Sequence, residues 1–257
     1  LLIDSHCHID FADFDADRAT VIAECQQLSI NTLVVPGTQA ASWANLLALS
    51  DAYPAIHVAL GIHPYFLDAF QAGDLLLLSD LIATHRQRIV AVGEIGLDGS
   101  LSHNYARQLE VFSQQLELAS TFALPVILHH RHSHNDLIRL LKHKRFNFGG
   151  IIHAFSGSLQ EAQNYIDLGF KLGIGATITY QRAVKTRDVV SQVPLDSLVL
   201  ETDAPDMPPS GLQGLRNSPL NLPLVLKALV ALRQESEAEI IQQCRRNVCS
   251  ALANMPR

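Results

Sequence analysis

The side chains able to do chemistry in this sequence stand at the ends of apolar runs. His6 and His8 follow Leu1–Asp4 and are two residues apart. On an extended strand that spacing turns both imidazoles to one face, where together they can chelate one cation. Cys7, between them, faces the other way and is expected to be a small core residue. Glu94 lies in Val92-Gly93-Glu94-Ile95-Gly96-Leu97-Asp98. Gly93 and Gly96 let other groups approach the backbone closely. The two oxygens of Glu94 are able to bridge two cations, although a buried Glu paired with an arginine is the plainer reading. Asp98 is either an acid behind the ligands or a turn residue. His129 ends Leu124–Leu128, His153 ends Gly149–Ile152, and Asp203 follows Leu198–Thr202. Asp203 stands where a barrel hydrolase keeps a carboxylate in touch with both metal and water. Glu201, two residues back, is placed to orient a ligand histidine. His63, in Gly61-Ile62-His63-Pro64-Tyr65, is a rim residue that could contact substrate. Arg131 shares the face of His129 and suits either a substrate anion or an ion pair at the rim. By the same alternation His130 points away, and His132 and His134 belong to the start of the next helix.

Something must gather these groups. Eight aliphatic or β-branched runs alternate with longer amphipathic stretches. Strands are expected over Leu1–Ser5, Asn31–Pro36, Ile56–Gly61, Ile89–Glu94, Val126–His129, Gly150–His153, Phe170–Ile174 and Leu198–Glu201. Helices are expected at Asp17–Leu28, Ala40–Ala52, Asp74–His85, His103–Thr121, Asn135–His143, Leu159–Leu168, Arg182–Val193, Pro219–Leu232 and Ser236–Leu252. Strand–helix alternation repeated eight times predicts a single α/β domain over residues 1–257, a (β/α)8 TIM barrel. A doubly wound sheet is disfavoured, because it would carry a Gly-rich phosphate turn where Ser5-His6-Cys7-His8 stands. Active-site groups of such barrels sit at the C-terminal ends of the strands. Six of the eight expected strands deliver a histidine or carboxylate there.

Composition agrees and excludes. Hydrophobic residues make up 48% and charged residues 17%, which allows a large core and excludes disorder as the main state. A net charge of -6 argues against coating duplex DNA or an anionic membrane by bulk charge. The longest purely aliphatic run is Leu75–Leu78, far short of the about 20 apolar residues a spanning helix needs. The four cysteines show no CxxC spacing, and no basic leader precedes the first motif, so reduced thiols and a cytoplasmic location are expected. Nothing points to an obligate protein partner or a membrane. The segment Gln181–Arg187 follows the seventh strand, so Arg182, Lys185 and Arg187 could meet a phosphate backbone at the rim, as could Arg216. The plainer reading is a solvated helix face.

His6-x-His8, Gly61-Ile62-His63-Pro64, Gly93-Glu94-Ile95-Gly96-Leu97-Asp98, Pro125-Val126-x-x-His129-x-Arg131, His153-Ala154-Phe155-Ser156-Gly157, Glu201-Thr202-Asp203-Ala204-Pro205 and Arg216-Asn217-x-Pro219 occur in this order. Together they resemble the TatD family of metal-dependent hydrolases in the amidohydrolase superfamily. Asp203–Pro208 is most similar to its YjjV-like branch. The resemblance implies two divalent metal cations: one held by His6, His8 and Asp203, one by His129 and His153, with Glu94 bridging both. It also implies phosphodiester hydrolysis, since some members are deoxyribonucleases. Three positions depart from the family pattern. Gly99-Ser100 stands where aromatic residues are common, His130 where a small residue is common, and Tyr65 where histidine is common.

The implied mechanism uses a metal-activated hydroxide with Asp203 as ligand and general base. The N/O ligand set suits Zn, Mn, Co or Ni, and Mg less well. Small anionic molecules or single-stranded nucleic acid are the expected substrates. Hydrolysis of amide, lactone or other ester bonds at the same centre is the alternative.

Overall fold

The computed structural model describes residues 1–101 and 105–255. Its strands are β1 (Leu2–Asp4), β2 (Ile30–Pro36), β3 (Ile56–Leu60), β4 (Ile89–Asp98), β5 (Val126–Arg131), β6 (Gly150–Ile152), β7 (Phe170–Ile174) and β8 (Leu198–Leu200). Each pairs in parallel with the next, in the order β1 to β8. The Ser5 N–H donates to the Leu200 carbonyl at 2.9 Å, drawing the first strand to the last. The result is a (β/α)8 barrel. Strands buried on both faces read as continuous apolar runs rather than alternating ones, which is why the sequence displayed all eight.

The helices are α1 (Arg18–Gln27), α2 (Ala40–Ala52), α3 (Asp74–Thr84), α4 (Tyr105–Thr121), α5 (His134–His143), α6 (Leu159–Asp167), α7 (Val184–Gln192), α8 (Leu222–Val230) and α9 (Glu237–Ala251). The expected start of the fourth helix at His103 lies outside the described residues. Two other starts differ from expectation by more than one residue. Arg182 lies in the turn before α7, and Pro219–Asn221 form a separate 3-10 turn ahead of α8. A tighter turn suits Pro219, whose ring cannot sit beyond the first turn of an α-helix.

The apolar interior has two parts. One large cluster fills the space between strands and helices, and includes Trp43, Phe112 and Phe170. A smaller one gathers Ile3, Val34, Ala59, Val90, Ile127, Ile151 and Val199 from the strands with Val248, Ala251, Leu252 and Met255 from the end of α9. The Ala253 N–H donates to the Val90 carbonyl at 2.9 Å, and the Asn254 amide donates to the Ile89 carbonyl at 2.9 Å. The last turn of α9 and the residues just after it therefore close the N-terminal mouth of the barrel with apolar side chains. The opposite mouth carries the polar groups.

Candidate metal centre

The ligand candidates sit on or just past strand ends. Glu94 is carried inside β4, and His129 inside β5. His6, His8, His63, His153 and Asp203 stand on the loops that leave β1, β3, β6 and β8. β4 extends four residues beyond the expected end at Glu94, because Gly96, Leu97 and Asp98 stay in register with His129, His130 and Arg131. Gly96 adopts φ +154°, and a Cβ there would collide with the backbone of His129. Only glycine permits this approach, which brings Glu94 and His129 to the same depth.

Two lobes of ligand atoms share Glu94. In the first, His6 Nε2 lies 3.3 Å from His8 Nε2, 3.3 Å from Glu94 Oε2 and 3.5 Å from Asp203 Oδ1. His8 Nε2 lies 3.5 Å from Glu94 Oε2 and 3.9 Å from Asp203 Oδ1. In the second, Glu94 Oε1 lies 2.8 Å from His153 Nε2, 3.3 Å from His129 Nδ1 and 3.5 Å from His63 Nε2. His129 Nδ1 and His153 Nε2 are 3.3 Å apart. Atoms roughly 2.1 Å from a tetrahedral cation stand roughly 3.4 Å from one another. Both lobes have that spacing. Glu94 Oε1 makes no properly directed hydrogen bond with the nitrogens around it, and His6 Nδ1, His8 Nδ1 and His153 Nδ1 are buried without a partner. Those Nδ1 atoms lie on the ring edges away from the clustered Nε2 atoms, so it is Glu94 Oε1, unsatisfied amid crowded ring nitrogens, that fits a cation. Residues His6, His8, Glu94, Asp203, His129 and His153 therefore form a donor set of the N/O type that borderline divalent metals prefer.

The electrostatics agree. Burial and the neighbouring His153 push His6 down to about 3, so its imidazole keeps a free lone pair. Burial likewise drives His63 well below its ordinary value. Burial would raise the Glu94 carboxyl, but His153, His63 and His6 hold it well below the usual carboxylate range. For His153 burial opposes the charged form, yet Glu94 and then Asp203 and Glu201 outweigh it and lift the group to about 10. A field that binds a proton that firmly also favours a cation.

Several surrounding groups fix these ligands. Asp4 accepts from the His6 N–H at 3.2 Å, the Thr202 N–H at 3.0 Å and the Thr202 hydroxyl at 2.6 Å, stapling the ends of β1 and β8 beneath the first lobe. Asp98 Oδ2 stands 3.4 Å from His129 Nε2, so it is the acid behind a ligand rather than a turn residue alone. Ser100, one of the family departures, donates its N–H and hydroxyl to Asp98 Oδ1 at 2.8 and 2.5 Å. Gln108 and Gln115, two helical turns apart on α4, clasp the backbones of Asp98 and Ile62. They steady the strand ends that carry His129's partner and His63. Sequence reasoning missed both glutamines; their signal was the seven-residue spacing on an otherwise apolar helix face. Glu201 was expected to orient a ligand histidine. It accepts the Ala154 N–H at 2.5 Å and stays 3.8 Å from His153 Nδ1. It therefore braces the backbone after His153 and is not hydrogen-bonded to the ring.

The other expected site residues divide. His63, expected on the active rim, has its ring 4.3 Å from that of His129, among the ligand candidates. Arg131 and Lys185 line a cavity beside the second lobe. Arg182 stacks over Tyr180 at 4.9 Å and lines a smaller cavity with Met207. Arg187 is turned inward, donating to the Ile178 carbonyl. Arg216 requires correction. Its guanidinium makes a paired contact with the Asp17 carboxylate at 2.9 and 2.6 Å, donates to the Asp13 carbonyl and lies over Phe14 at 4.3 Å. Three of its five N–H donors clip the loop after β8 to the loop after β1, and its charge is paired with Asp17, so it does not present a free charge to substrate. His130 points away from the lobes, towards the Ala154 carbonyl and the ring of His134. Cys7 is fully buried in the core, as its alternation required.

A barrel whose open mouth gathers four histidines and two carboxylates in this way belongs to the metal-dependent hydrolases. Comparison with known proteins narrows the class. The family model for TatD related DNase matches residues 3–253. An Escherichia coli K12 protein described as the uncharacterized metal-dependent hydrolase YjjV is 43% identical over 99% of this chain and 98% of its own. The crystal structure of YjjV, a TatD homologue from the same organism, superposes with a TM-score of 0.95 at 42% identity, covering 99% of this chain and 98% of that one. A 3'-5' ssDNA/RNA exonuclease TatD of a Rahnella strain is 32% identical over 87% of this chain and 88% of its own. The chain belongs to the TatD family of metal-dependent hydrolases. Among the described residues no helix is long and apolar enough to cross a membrane.

Proposed function

We propose that the chain hydrolyses phosphodiester bonds of single-stranded nucleic acid or small anionic esters, with two divalent cations held in the two lobes. The observation that carries this reading is charge. Glu94 and Asp203 would leave two divalent cations with a net positive centre. Around it Arg131, Arg182 and Lys185 make no ion pair among the described residues. Such a mouth favours an anion. The exonuclease name of the Rahnella relative points the same way. The overall charge of -6 favours single strands or ends over duplex.

The cations, when bound, supply Lewis acidity and lower the pKa of bound water towards roughly 7. The remaining work falls to side chains. Asp203 turns Oδ1 towards His6 and His8, which leaves Oδ2 to accept the proton of the attacking water. Burial raises the Asp203 carboxyl above its ordinary value, against the pull of His153 and His8, and so strengthens it as a base. Glu94 stays ionised and holds the two lobes at a fixed spacing. His63, kept neutral by burial, is positioned beside the second lobe as a hydrogen-bonding group.

A metal-replete panel tests the reading. Oligonucleotides, small phosphodiesters, lactones and cyclic amides would be compared in the wild type and in Asp203→Asn. Phosphodiester cleavage that falls by roughly a thousandfold in the variant is expected. Cleavage confined to lactones or amides would replace the phosphodiester reading, and unchanged activity in Asp203→Asn would remove the proposed base.

A further inference from the structure

A cavity of about 610 Å³ opens beside the second lobe, between the turn from β5 to α5, the loop after β6 and the start of α7. Arg131, His134, Asp136, Ser156, Glu161 and Lys185 are among its walls. Arg131 lies two residues after His129 and Ser156 three after His153, so the cavity opens at the same end of the barrel as the candidate metal centre, although no ligand candidate lines it.

Its donors lack acceptors. Ser133, at the start of α5, donates its hydroxyl to the Leu97 carbonyl at 2.7 Å and accepts the Arg131 N–H at 3.2 Å, so it does not cap the helix. The backbone N–H groups of His134, Asn135 and Asp136 are left without acceptors among the described residues. The side chains of Arg131 and Lys185 and the Ser156 hydroxyl likewise have no hydrogen-bond or ion-pair partner among them. The two acids in the wall are already committed. Asp136 accepts from Arg139 and from the Tyr105 hydroxyl, each at 2.8 Å. Glu161 folds back onto the Ser158 N–H and hydroxyl at 2.6 and 2.7 Å. Two cations without a hydrogen-bond or ion-pair contact, an open hydroxyl and a row of uncapped N–H groups around one hollow offer donors to the oxygens of a phosphate group, with Glu161, held low against burial by Ser158 and in part by Lys185, as the one opposing charge on the Lys185 side.

We propose that this cavity is a second anion site, which takes a phosphate flanking the scissile linkage. The proposal rests on the phosphodiester reading above. It makes the substrate a chain bearing at least two phosphates and gives a terminally phosphorylated end an advantage over a bare one. The metal centre handles the bond that breaks. The cavity fixes how far along the chain that bond lies from the neighbouring phosphate.

The test compares a thymidine dinucleotide carrying no terminal phosphate with the same dinucleotide phosphorylated at its 5′ or 3′ end, using the metal-loaded enzyme. One phosphorylated form should show kcat/KM higher by roughly tenfold or more, mostly through KM. That ratio should fall to about one in Arg131→Ala and in Lys185→Ala. Equal kcat/KM for all three dinucleotides, or a ratio unchanged in both variants, would overturn the proposal and leave the phosphodiester reading standing. If no dinucleotide is cut, that reading fails, and calorimetry with inorganic phosphate then decides on the cavity. Binding weakened by Lys185→Ala supports it, and binding identical to wild type overturns it.

Discussion

The two lobes of the centre share one carboxylate yet are built differently. The first, at the seam between β1 and β8, lies deep: His6 is fully buried, and the staple of Asp4 and Thr202 beneath it is buried as well. The second, at the ends of β4, β5 and β6, is shallower. Its His129 side chain is 17% exposed, and its support comes from Asp98 on an open strand end. The contrast is one of support more than of depth, for Asp203 in the first lobe is 15% exposed and His153 in the second only 6%.

Substitutions break or sharpen this contrast to different degrees. Glu94→Gln removes the shared bridge and has the largest expected effect: both cations bind more weakly, and hydrolysis falls by roughly a thousandfold or more, checked by metal analysis and initial rates. His8→Ala and His129→Ala should separate the lobes. Each is expected to lower metal content towards one cation per chain, with the survivor in the other lobe, which anomalous scattering reads directly. Asp98→Asn keeps the shape but weakens the carboxylate behind His129. Roughly 10- to 100-fold weaker binding in the second lobe alone is expected from titration with a spectroscopic cation such as Co.

Protons compete with cations here. His8 and His129 hold protons more tightly than free imidazole, because Glu94, with Asp203 beside His8 and Asp98 beside His129, outweighs burial. His153 does so up to about 10. A cation must displace these protons, so its affinity should rise with pH and keep rising towards about 10, where His153 gives up its proton, a trend that metal-binding isotherms across that range would show. The smallest effect belongs to Arg216→Ala. Its pair with Asp17 is exposed and screened by solvent, so thermal midpoint should move little and metal content should not change.

The barrel was legible because every strand is buried on both faces and therefore announces itself as an apolar run. The candidate ligands were legible because a histidine or carboxylate at the end of such a run has few other reasons to be there. Legibility failed where side chains act on backbone. Gln108 and Gln115 clasp loops distant in sequence, and nothing in an i, i+7 pair says what it will meet. Arg216 looked like a rim charge because its partner Asp17 lies about two hundred residues away. His63 was read as a rim group that could contact substrate, and the loop past β3 sets its ring beside that of His129. Ser100, a departure from the family pattern, turned out to hold Asp98 and through it His129.

The central claim is that Glu94 joins two cation sites. Anomalous diffraction from crystals grown with Zn or Mn tests it most directly. The account predicts two peaks per chain, one among His6, His8 and Asp203 and one between His129 and His153, each within about 2.0–2.2 Å of a Glu94 oxygen for Zn. A single peak, or two peaks of which neither contacts Glu94, would contradict it.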